Sequence, residues 1–190
     1  MTTPLSVDLS LLPTGLVGTG AALMKRLGFL DTERVPGLLV YSPEPCDEAI
    51  ALAGRRLIRR LPDEAEVAAL RVLFVAGLST TDSARLAAFA RDHRVLVNIE
   101  DSPPFCDFHL PAVVRRGDLA ISVSTGGRSP TLARRLRDYL ESLLPETWTE
   151  RTERIATLRA TLRAQGAGPA EIIEATDGLI DREGWLPPKT

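Results

Sequence analysis

Three short runs of apolar residues, each bounded by turn-forming residues, predict the strands of a buried sheet. The runs are GLLVY at 37–41, VLFVA at 72–76 and VLVNI at 95–99. Continuous apolar runs of this length are typical of strands that helices cover on both faces, as in parallel sheets. A further run at 11–17 contains Pro13 and Gly15 and therefore predicts only an edge strand or an irregular entry into the sheet.

Segments of helical composition separate these runs and complete the first part of the pattern. Helices are expected near 21–29, 45–53, 64–69 and 82–93. Strands that alternate with helices in this way predict an α/β fold, in which crossover helices pack on a parallel sheet.

The pattern changes after Asp101. Three prolines and one glycine within 101–118 predict an irregular connector with one short helix at 110–116. The segments beyond it are a strand at 119–124 and helices that end near 144, 165 and 182. We therefore expect a sheet domain that ends near residue 112, with an appended strand and helices after it.

Composition limits the classes of function. The chain has 190 residues and a net charge of −2, which gives no support for a nucleic-acid-binding protein. No apolar run approaches the roughly 20 residues of a membrane-spanning helix, and the first residues lack the pattern of a secretory signal. We expect a cytoplasmic protein with neither a nucleic-acid nor a membrane partner. Cys46 and Cys106 lack CxxC spacing, so no structural zinc is expected.

The basic residues are almost all arginine. Of the 23 basic residues, Lys25 and Lys189 are lysine, which leaves 21 arginines. Arginine can bind a carboxylate through two parallel hydrogen bonds, so this excess suits a ligand with many carboxylates. A biased genomic composition is the favoured explanation, since most of the arginines are scattered as on a solvated surface.

The segment GTGAAL at 18–23 is a candidate dinucleotide-binding turn. Its glycines would let the backbone approach a pyrophosphate at the start of a helix, and Glu44 follows the next strand, where an acidic residue would bind the ribose. Leu23 occupies the position of the third glycine of the motif. A tight strand-to-helix turn without a nucleotide, and a surface role for Glu44, stay open as alternatives.

Asp101 directly follows a predicted strand, at the edge of the sheet where ligands bind in open α/β folds. A carboxylate there can accept a proton from a substrate, but an aspartate before Ser-Pro is also common in turns. His109 either titrates near neutrality or packs into the fold, and Cys106 is first interpreted as a small core residue.

The segment STGGRSPTLARRL at 124–136 predicts a turn into a helix. Ser129 is a suitable N-cap and Pro130 suits the first helical position. Leucines at 132, 136, 140 and 143 form an apolar stripe on that helix. Arg128 lies beside the free amides of the helix start and is a candidate to bind a carboxylate.

Residues 97–145, VNIEDSPPFCDFHLPAVVRRGDLAISVSTGGRSPTLARRLRDYLESLLP, closely resemble the signature segment of precorrin-2 dehydrogenases, the siroheme-synthase N-terminal family. That family typically has VNVVD, CDF, PA, a basic residue with glycine, and STGG-x-SP-x-LAR in this order. Upstream, LVGTGAALMKR, LLVYSPE and VLFVAGLST resemble the family's glycine-rich turn and its next two strands. The resemblance spans most of residues 9–165.

The resemblance implies a Rossmann-like NAD-binding domain at 1–112, a dimerisation region with a strand and a helix at 113–145, and a helical C-terminal region at 146–190. It implies that the chain oxidises precorrin-2 to sirohydrochlorin with NAD, as a homodimer, and some family members also insert ferrous iron. Asp101 matches the family's important aspartate. The implied cofactor-binding residues are Gly18, Thr19, Gly20, Ala21, Ser42, Pro43, Glu44, Ala76 and Gly77. The implied tetrapyrrole-binding residues are His109, Ser124, Thr125, Gly126, Gly127 and Arg128. No dedicated metal site is expected.

Several positions depart from the family pattern. These are Leu23, Pro13, Gly15, the inserted segment FLDTERVPG at 29–37, and Glu100 beside Asp101. Glu100 would either raise the pKa of Asp101 or turn away to solvent. Two alternatives therefore stay open: a cofactor-free tetrapyrrole-binding protein, acting as chelatase or carrier, and a noncatalytic dimeric binding module. Because the sequence ends at Thr190, we expect no fused methyltransferase domain.

Overall fold

The computed structural model describes residues 3–187, which form two compact units, 3–110 and 111–187. The predicted domain limits at residues 1 and 190 lie outside the described residues. The first unit contains a five-stranded parallel sheet in the order β3-β2-β1-β4-β5. This order matches five strands of the six-stranded Rossmann order 3-2-1-4-5-6, which confirms the predicted Rossmann-like α/β class.

The strands and helices of the first unit alternate along the chain. The strands are β1 (Thr14–Gly18), β2 (Leu39–Tyr41), β3 (Leu57–Ile58), β4 (Val72–Ala76) and β5 (Leu96–Ile99). The helices are α1 (Gly20–Thr32), α2 (Asp47–Ala53), α3 (Glu64–Ala68) and α4 (Thr80–Asp92), with short 3-10 turns at Leu9–Leu11, Gly54–Arg56 and Pro103–Phe105. The sheet has a buried core on each face, so every central strand is apolar on both sides.

The two cores contain different helices. On one face Leu16 and Phe74 pack with Leu23 and Leu27 of α1. On the other face the side chains of β1, β4 and β5 pack with those of α3 and α4, and the members are Val17, Val67, Val75, Leu86, Ala87, Ala90 and Val97. The carboxyl ends of β1 and β4 therefore emerge between helices that cover opposite faces, which is where ligands bind in this class of fold.

The prediction that residues 11–17 form only an edge strand or an irregular entry is wrong, because β1 is a regular strand in the centre of the sheet between β2 and β4. Pro13 precedes the strand and uses only its carbonyl oxygen, which accepts hydrogen bonds from the amides of Arg71 and Val72 at 2.8 and 3.2 Å. Gly15 lies within the strand, where an added Cβ would be 2.6 Å from Leu70 Cδ1. The glycine therefore makes room for a core leucine.

The second unit combines a two-stranded antiparallel ribbon with three helices. These are β6 (Ala112–Arg116), β7 (Leu119–Val123), α5 (Pro130–Leu143), α6 (Trp148–Ala164) and α7 (Pro169–Arg182). The prediction of a helix at 110–116 is wrong, because most of that segment forms strand β6. Arg116, buried at its end, donates from Nε to the Leu144 carbonyl oxygen at 2.7 Å and so fastens the end of α5.

No helix within residues 3–187 is both long enough and apolar enough to span a bilayer.

Candidate active site

The residues that end β1 and β4 meet at the carboxyl edge of the sheet. The Thr19 amide donates to the Ala76 carbonyl oxygen at 3.1 Å, and the Thr19 hydroxyl donates to the Gly77 carbonyl oxygen at 2.6 Å. The structure therefore joins the two glycine-containing segments that the sequence predicts to bind the cofactor. Their junction is the topological switch point of the sheet, the usual position of a nucleotide in this fold.

Two glycines allow this junction to close. A Cβ at Gly18 would lie 2.2 Å from the Ala76 carbonyl oxygen. A Cβ at Gly77, whose φ is +71°, would lie 2.5 Å from the Thr19 carbonyl oxygen. Both contacts are with backbone atoms, which cannot rotate away, so larger residues would force the two strand ends apart.

The start of α1 is open toward any ligand at this junction. Gly20 has a φ of +60°, and a Cβ added there would meet no atom within 4 Å. Thr19 is the N-cap residue of α1, but its side chain makes no capping hydrogen bond, since its hydroxyl is used on Gly77. The first amides of α1 therefore have no side-chain acceptor and suit an anionic group such as a pyrophosphate.

Leu23 does not obstruct this opening. Its side chain is 1% exposed and belongs to the core that contains Leu16 and Leu27. The third position of the glycine motif serves the packing of the helix on the strand. The departure at Leu23 is accommodated in the core, away from the surface that a nucleotide would contact.

The end of β2 offers a polar group that lacks a partner. Ser42 is fully buried, its amide donates to the Ile58 carbonyl oxygen at 3.0 Å, and its Oγ has no hydrogen-bond partner in the described chain. Pro43 and Glu44 follow it and are exposed. A buried hydroxyl without a partner is costly, so Ser42 Oγ and the Glu44 carboxylate suit the hydroxyl groups of a ribose. The residues at both strand ends thus fit NAD.

Asp101 lies just beyond β5, the strand next to β4. The Glu100 amide bonds to the Val75 carbonyl oxygen at 2.9 Å, and this bond fixes the chain directly before Asp101. Asp101 is exposed and has a φ of +56°, a left-handed conformation that aspartate adopts more readily than most residues. Its carboxylate makes no hydrogen bond or ion pair within residues 3–187 and is free to accept a proton from a ligand.

Glu100, the residue before Asp101, forms an ion pair with α1. Its side chain is 13% exposed and its Oε1 lies 3.0 Å from Lys25 Nζ on α1. The Glu100 side chain therefore turns to a lysine rather than to bulk solvent.

Arg26 also lies near the site, and the sequence alone did not identify it as a site residue. Its guanidinium lies over the rings of Phe74 and Phe29, 5.5 and 6.0 Å from their centroids. Burial lowers the pKa of Arg26, and the nearby Glu100, Cys106 and Asp101 oppose that shift. The only signal in the sequence was the basic pair in the MKR segment, because the proximity of Arg26 to Asp101 depends on the packing of α1 against β1 and β4.

The segment after Asp101 folds back onto β5. The Cys106 thiol donates to the Ile99 carbonyl oxygen at 3.1 Å and its sulfur accepts from the Ile99 amide at 3.2 Å. Asn98 Nδ2 donates to the Phe108 carbonyl oxygen at 2.9 Å. His109 is exposed and makes no hydrogen bond or ion pair with another described residue. Cys106 is therefore a structural residue here, and no contact joins His109 to Asp101.

The STGG turn lies in the second unit and is held by hydrogen bonds within the turn and to the start of α5. Thr125 Oγ1 accepts from the Ser129 amide at 3.0 Å, and Ser129 Oγ caps α5 by accepting from the Leu132 amide at 3.2 Å, as predicted. Gly126 and Gly127 both have positive φ, and Ser124 Oγ accepts from the Gly126 amide. Arg128 is exposed, and the described residues provide no carboxylate for it.

The part of the chain that the structure describes holds no group of three or more His, Cys, Asp or Glu side chains arranged to bind a metal ion.

Comparison with known proteins agrees with this geometry. The chain matches the family described as putative NAD(P)-binding over residues 5–112, and the family described as sirohaem biosynthesis protein central over residues 116–143. It is 33% identical over 164 residues to the siroheme synthase of Methylococcus capsulatus, and 35% identical over 173 residues to that of Gluconobacter oxydans. These alignments cover 84% and 87% of this chain but 34% and 35% of the relatives, so the chain spans about a third of their length.

A solved structure named SirC, precorrin-2 dehydrogenase, has the same fold. It superposes with a TM-score of 0.75 and 23% sequence identity, covering 96% of this chain and 91% of that one.

Proposed function

Because this chain belongs to the putative NAD(P)-binding family, we propose that it is an NAD-dependent dehydrogenase that oxidises precorrin-2 to sirohydrochlorin in siroheme biosynthesis. The observation that carries the proposal is the arrangement of the sheet edge. An open helix start at the β1–β4 junction lies near the strand that is followed by Asp101, an exposed carboxylate without an ion pair among the described residues. The names of the similar proteins support the choice of a tetrapyrrole as substrate.

Residues of the first unit would hold the cofactor. Gly18, Thr19, Gly20 and Ala21 present the first amides of α1 to the pyrophosphate, and Ala76 and Gly77 form the opposite wall. Ser42, Pro43 and Glu44 line the place for the adenosine ribose. NAD, when bound, supplies the hydride acceptor for the oxidation.

Asp101 is the catalytic residue in this proposal. The oxidation removes two hydrogens from the macrocycle, one as a hydride and one as a proton, and the Asp101 carboxylate accepts the proton. Neighbouring strands of a sheet lie about 5 Å apart, so the end of β5 is within reach of a macrocycle placed at the end of β4. His109 in the first unit, and separately the STGG segment, Ser124 to Arg128, in the second, each offer polar groups that suit the carboxylates of a tetrapyrrole.

Two parts of the proposal concern partners. The first is a homodimer formed through α5, which is supported by the exposure of Leu132, Leu136, Tyr139 and Leu143 at 41–61% along one side of that helix.

The second is ferrous iron as an additional substrate. Insertion of iron requires loss of pyrrole protons, and the exposed Asp101 carboxylate suits that step as well.

The proposal is tested with purified protein by titration with NAD, followed by an anaerobic assay in which precorrin-2 is converted and sirohydrochlorin absorbance is recorded. We expect saturable NAD binding and product formation. The Asp101→Asn variant keeps the size of the side chain and tolerates positive φ, so it should fold normally and bind NAD normally, while kcat falls by about 100-fold or more.

Full activity of Asp101→Asn would contradict the role of Asp101 as base. A folded wild-type protein that binds sirohydrochlorin but not NAD would instead support the cofactor-free tetrapyrrole-binding protein, for which iron insertion is the next assay. A protein that binds neither would support the noncatalytic binding module.

A further inference from the structure

Arg26, a cation beside the candidate active site, forms no ion pair with any residue in 3–187. Lys25 and Arg26 are consecutive in α1, and the Lys25 ammonium is paired with Glu100. Arg26 makes no ion pair and no hydrogen bond to any residue in 3–187, and its guanidinium lies against two aromatic rings. An arginine side chain carries five N–H donors, and those of Arg26 are therefore available to a ligand.

An aromatic platform holds the Arg26 guanidinium in place. The guanidinium carbon lies 5.5 Å from the centroid of the Phe74 ring, and the Phe108 ring packs on Phe74 edge to face, with centroids 5.5 Å apart and planes at 85°. Phe108 is tied to the sheet by the bond from Asn98 Nδ2 to its carbonyl oxygen, and Asn98 is paired in register with Phe74. A guanidinium fixed in this way loses little side-chain entropy when it binds a ligand.

This platform lies close to Asp101. The Lys25–Glu100 pair joins α1 to the residue before Asp101, at an N–O distance of 3.0 Å. Burial lowers the pKa of Arg26, and the acidic groups that act against this shift are Glu100, Cys106 and Asp101. The side chain still remains charged at neutral pH. A half-buried cation without an ion pair has lost part of its hydration, and an anionic ligand would compensate for that loss.

We propose that Arg26 is a substrate-binding residue, which binds one carboxylate of the tetrapyrrole through two parallel N–H···O hydrogen bonds. This inference rests on the proposed function. The planar guanidinium matches the geometry of a carboxylate, and a tetrapyrrole of this pathway carries many carboxylates on its rim. A contact at Arg26 anchors the rim beside Asp101, so it orients the carbon that loses the proton toward the base.

The test compares three variants of the full chain. Arg26→Met removes the charge and keeps an unbranched apolar side chain on Phe74. Arg26→Lys keeps the charge but loses the planar fork. Arg34→Met is the matched control, because Arg34 is exposed beyond the other end of α1 and its side chain makes no hydrogen bond or ion pair with the described residues. Sirohydrochlorin binding is measured by absorbance titration, NAD binding by calorimetry, and kcat and KM with precorrin-2.

We expect Arg26→Met to raise the Kd for sirohydrochlorin and the KM for precorrin-2 by about 10-fold to 100-fold, since hydrogen bonds to charged groups have this magnitude. Arg26→Lys should lie between Arg26→Met and wild type. NAD affinity and the unfolding midpoint should stay close to those of wild type, as they should in Arg34→Met.

Three outcomes would overturn the inference. If Arg26→Met binds sirohydrochlorin as tightly as wild type does, Arg26 makes no such contact, and the proposed function is untouched. If NAD affinity and stability fall together with tetrapyrrole binding, the residue acts on the fold. If the wild-type protein binds no sirohydrochlorin at all, this inference and the proposed function both fail.

Discussion

Gly18 and Gly20 lie two residues apart in one turn and are required for different reasons. Gly18 is confined by the protein itself, since any side chain would collide with the Ala76 carbonyl oxygen. Gly20 faces open space, and only its positive φ disfavours a side chain. Gly18 is thus required by the fold, whereas Gly20 leaves room for a ligand at the start of α1.

This difference predicts the behaviour of Gly20→Ala. The variant should fold with a loss of about 1–2 kcal/mol in the free energy of unfolding, because alanine at positive φ is strained. Its NAD affinity should fall by about 10-fold or more, since the new methyl group occupies the space through which the pyrophosphate approaches. Calorimetric titration with NAD and urea unfolding measure the two effects.

Gly28→Ala is the control for this prediction. Gly28 lies in the exposed middle of α1, with no atom near an added Cβ, so alanine there should raise stability by about 0.5–1 kcal/mol and leave NAD affinity unchanged. Equal NAD affinity of Gly20→Ala and wild type would contradict a pyrophosphate at this turn.

Individual residues were predictable where the chemistry is local. The glycine turn, Asp101 after its strand, and Ser129 as the cap of α5 all follow from neighbouring residues. Arg26 was not predictable in this way, because its neighbour Lys25 meets Glu100 across 75 positions of sequence. Only the packing of α1 on the sheet brings these groups together.

Helix α3 begins with a hydrogen-bonded network that predicts a dependence of stability on pH. The Asp63 side chain accepts from the Glu66 amide at 2.8 Å, and the Glu66 carboxylate accepts from the Asp63 amide at 3.0 Å and from both terminal nitrogens of Arg60. The Arg60 guanidinium, and then the Asp63 amide, hold the pKa of Glu66 below its ordinary value of 4.5.

We therefore expect wild type to be more stable than Glu66→Gln at neutral pH, and this difference to vanish as the pH falls below 4.5. A carboxylate whose pKa is lowered by folding stabilises the folded state above its unfolded pKa, and this contribution is lost as the pH falls through the folded value. Urea unfolding between pH 7 and pH 3 measures the difference. Glu48→Gln in α2 is the comparison, and the same pH profile in both variants would contradict the role of the Arg60 contact.

Elements with continuous apolar runs were predicted well, and those that depend on distant partners were not. The strand predicted at 72–76 has the same limits in the structure. β1 was placed at an edge because Pro13 and Gly15 are poor strand residues, yet Leu70 fills the space beside Gly15. β3 has only two residues and no pattern of its own. β6 was taken for a helix because its partner β7 supplies the pairing that the local sequence does not show.

The apolar side of α5 predicts how the whole molecule assembles. Leu136 lies in the middle of the exposed stripe, so a charge there would be buried in the proposed homodimer. Leu136→Glu should weaken dimerisation by about 30-fold or more, as is usual for central interface residues. Light scattering over a series of concentrations measures the effect.

Arg134→Glu, on the opposite side of α5, is the control and should leave the oligomeric state unchanged. A wild-type protein that is monomeric at all concentrations, or a dimer that is insensitive to Leu136→Glu, would contradict this interface.

The Lys25–Glu100 pair has a practical consequence for labelling. Lys25 and Lys189 are the two lysines of the chain, and the Lys25 side chain is 78% exposed. An amine-selective fluorophore therefore has few positions to react with. One of them is Lys25 on α1, which is next to Arg26 in sequence and forms an ion pair with Glu100, the residue before Asp101. A dye at Lys25 would report directly on events at the sheet edge, in a protein whose arginine-rich surface is inert to the same reagent.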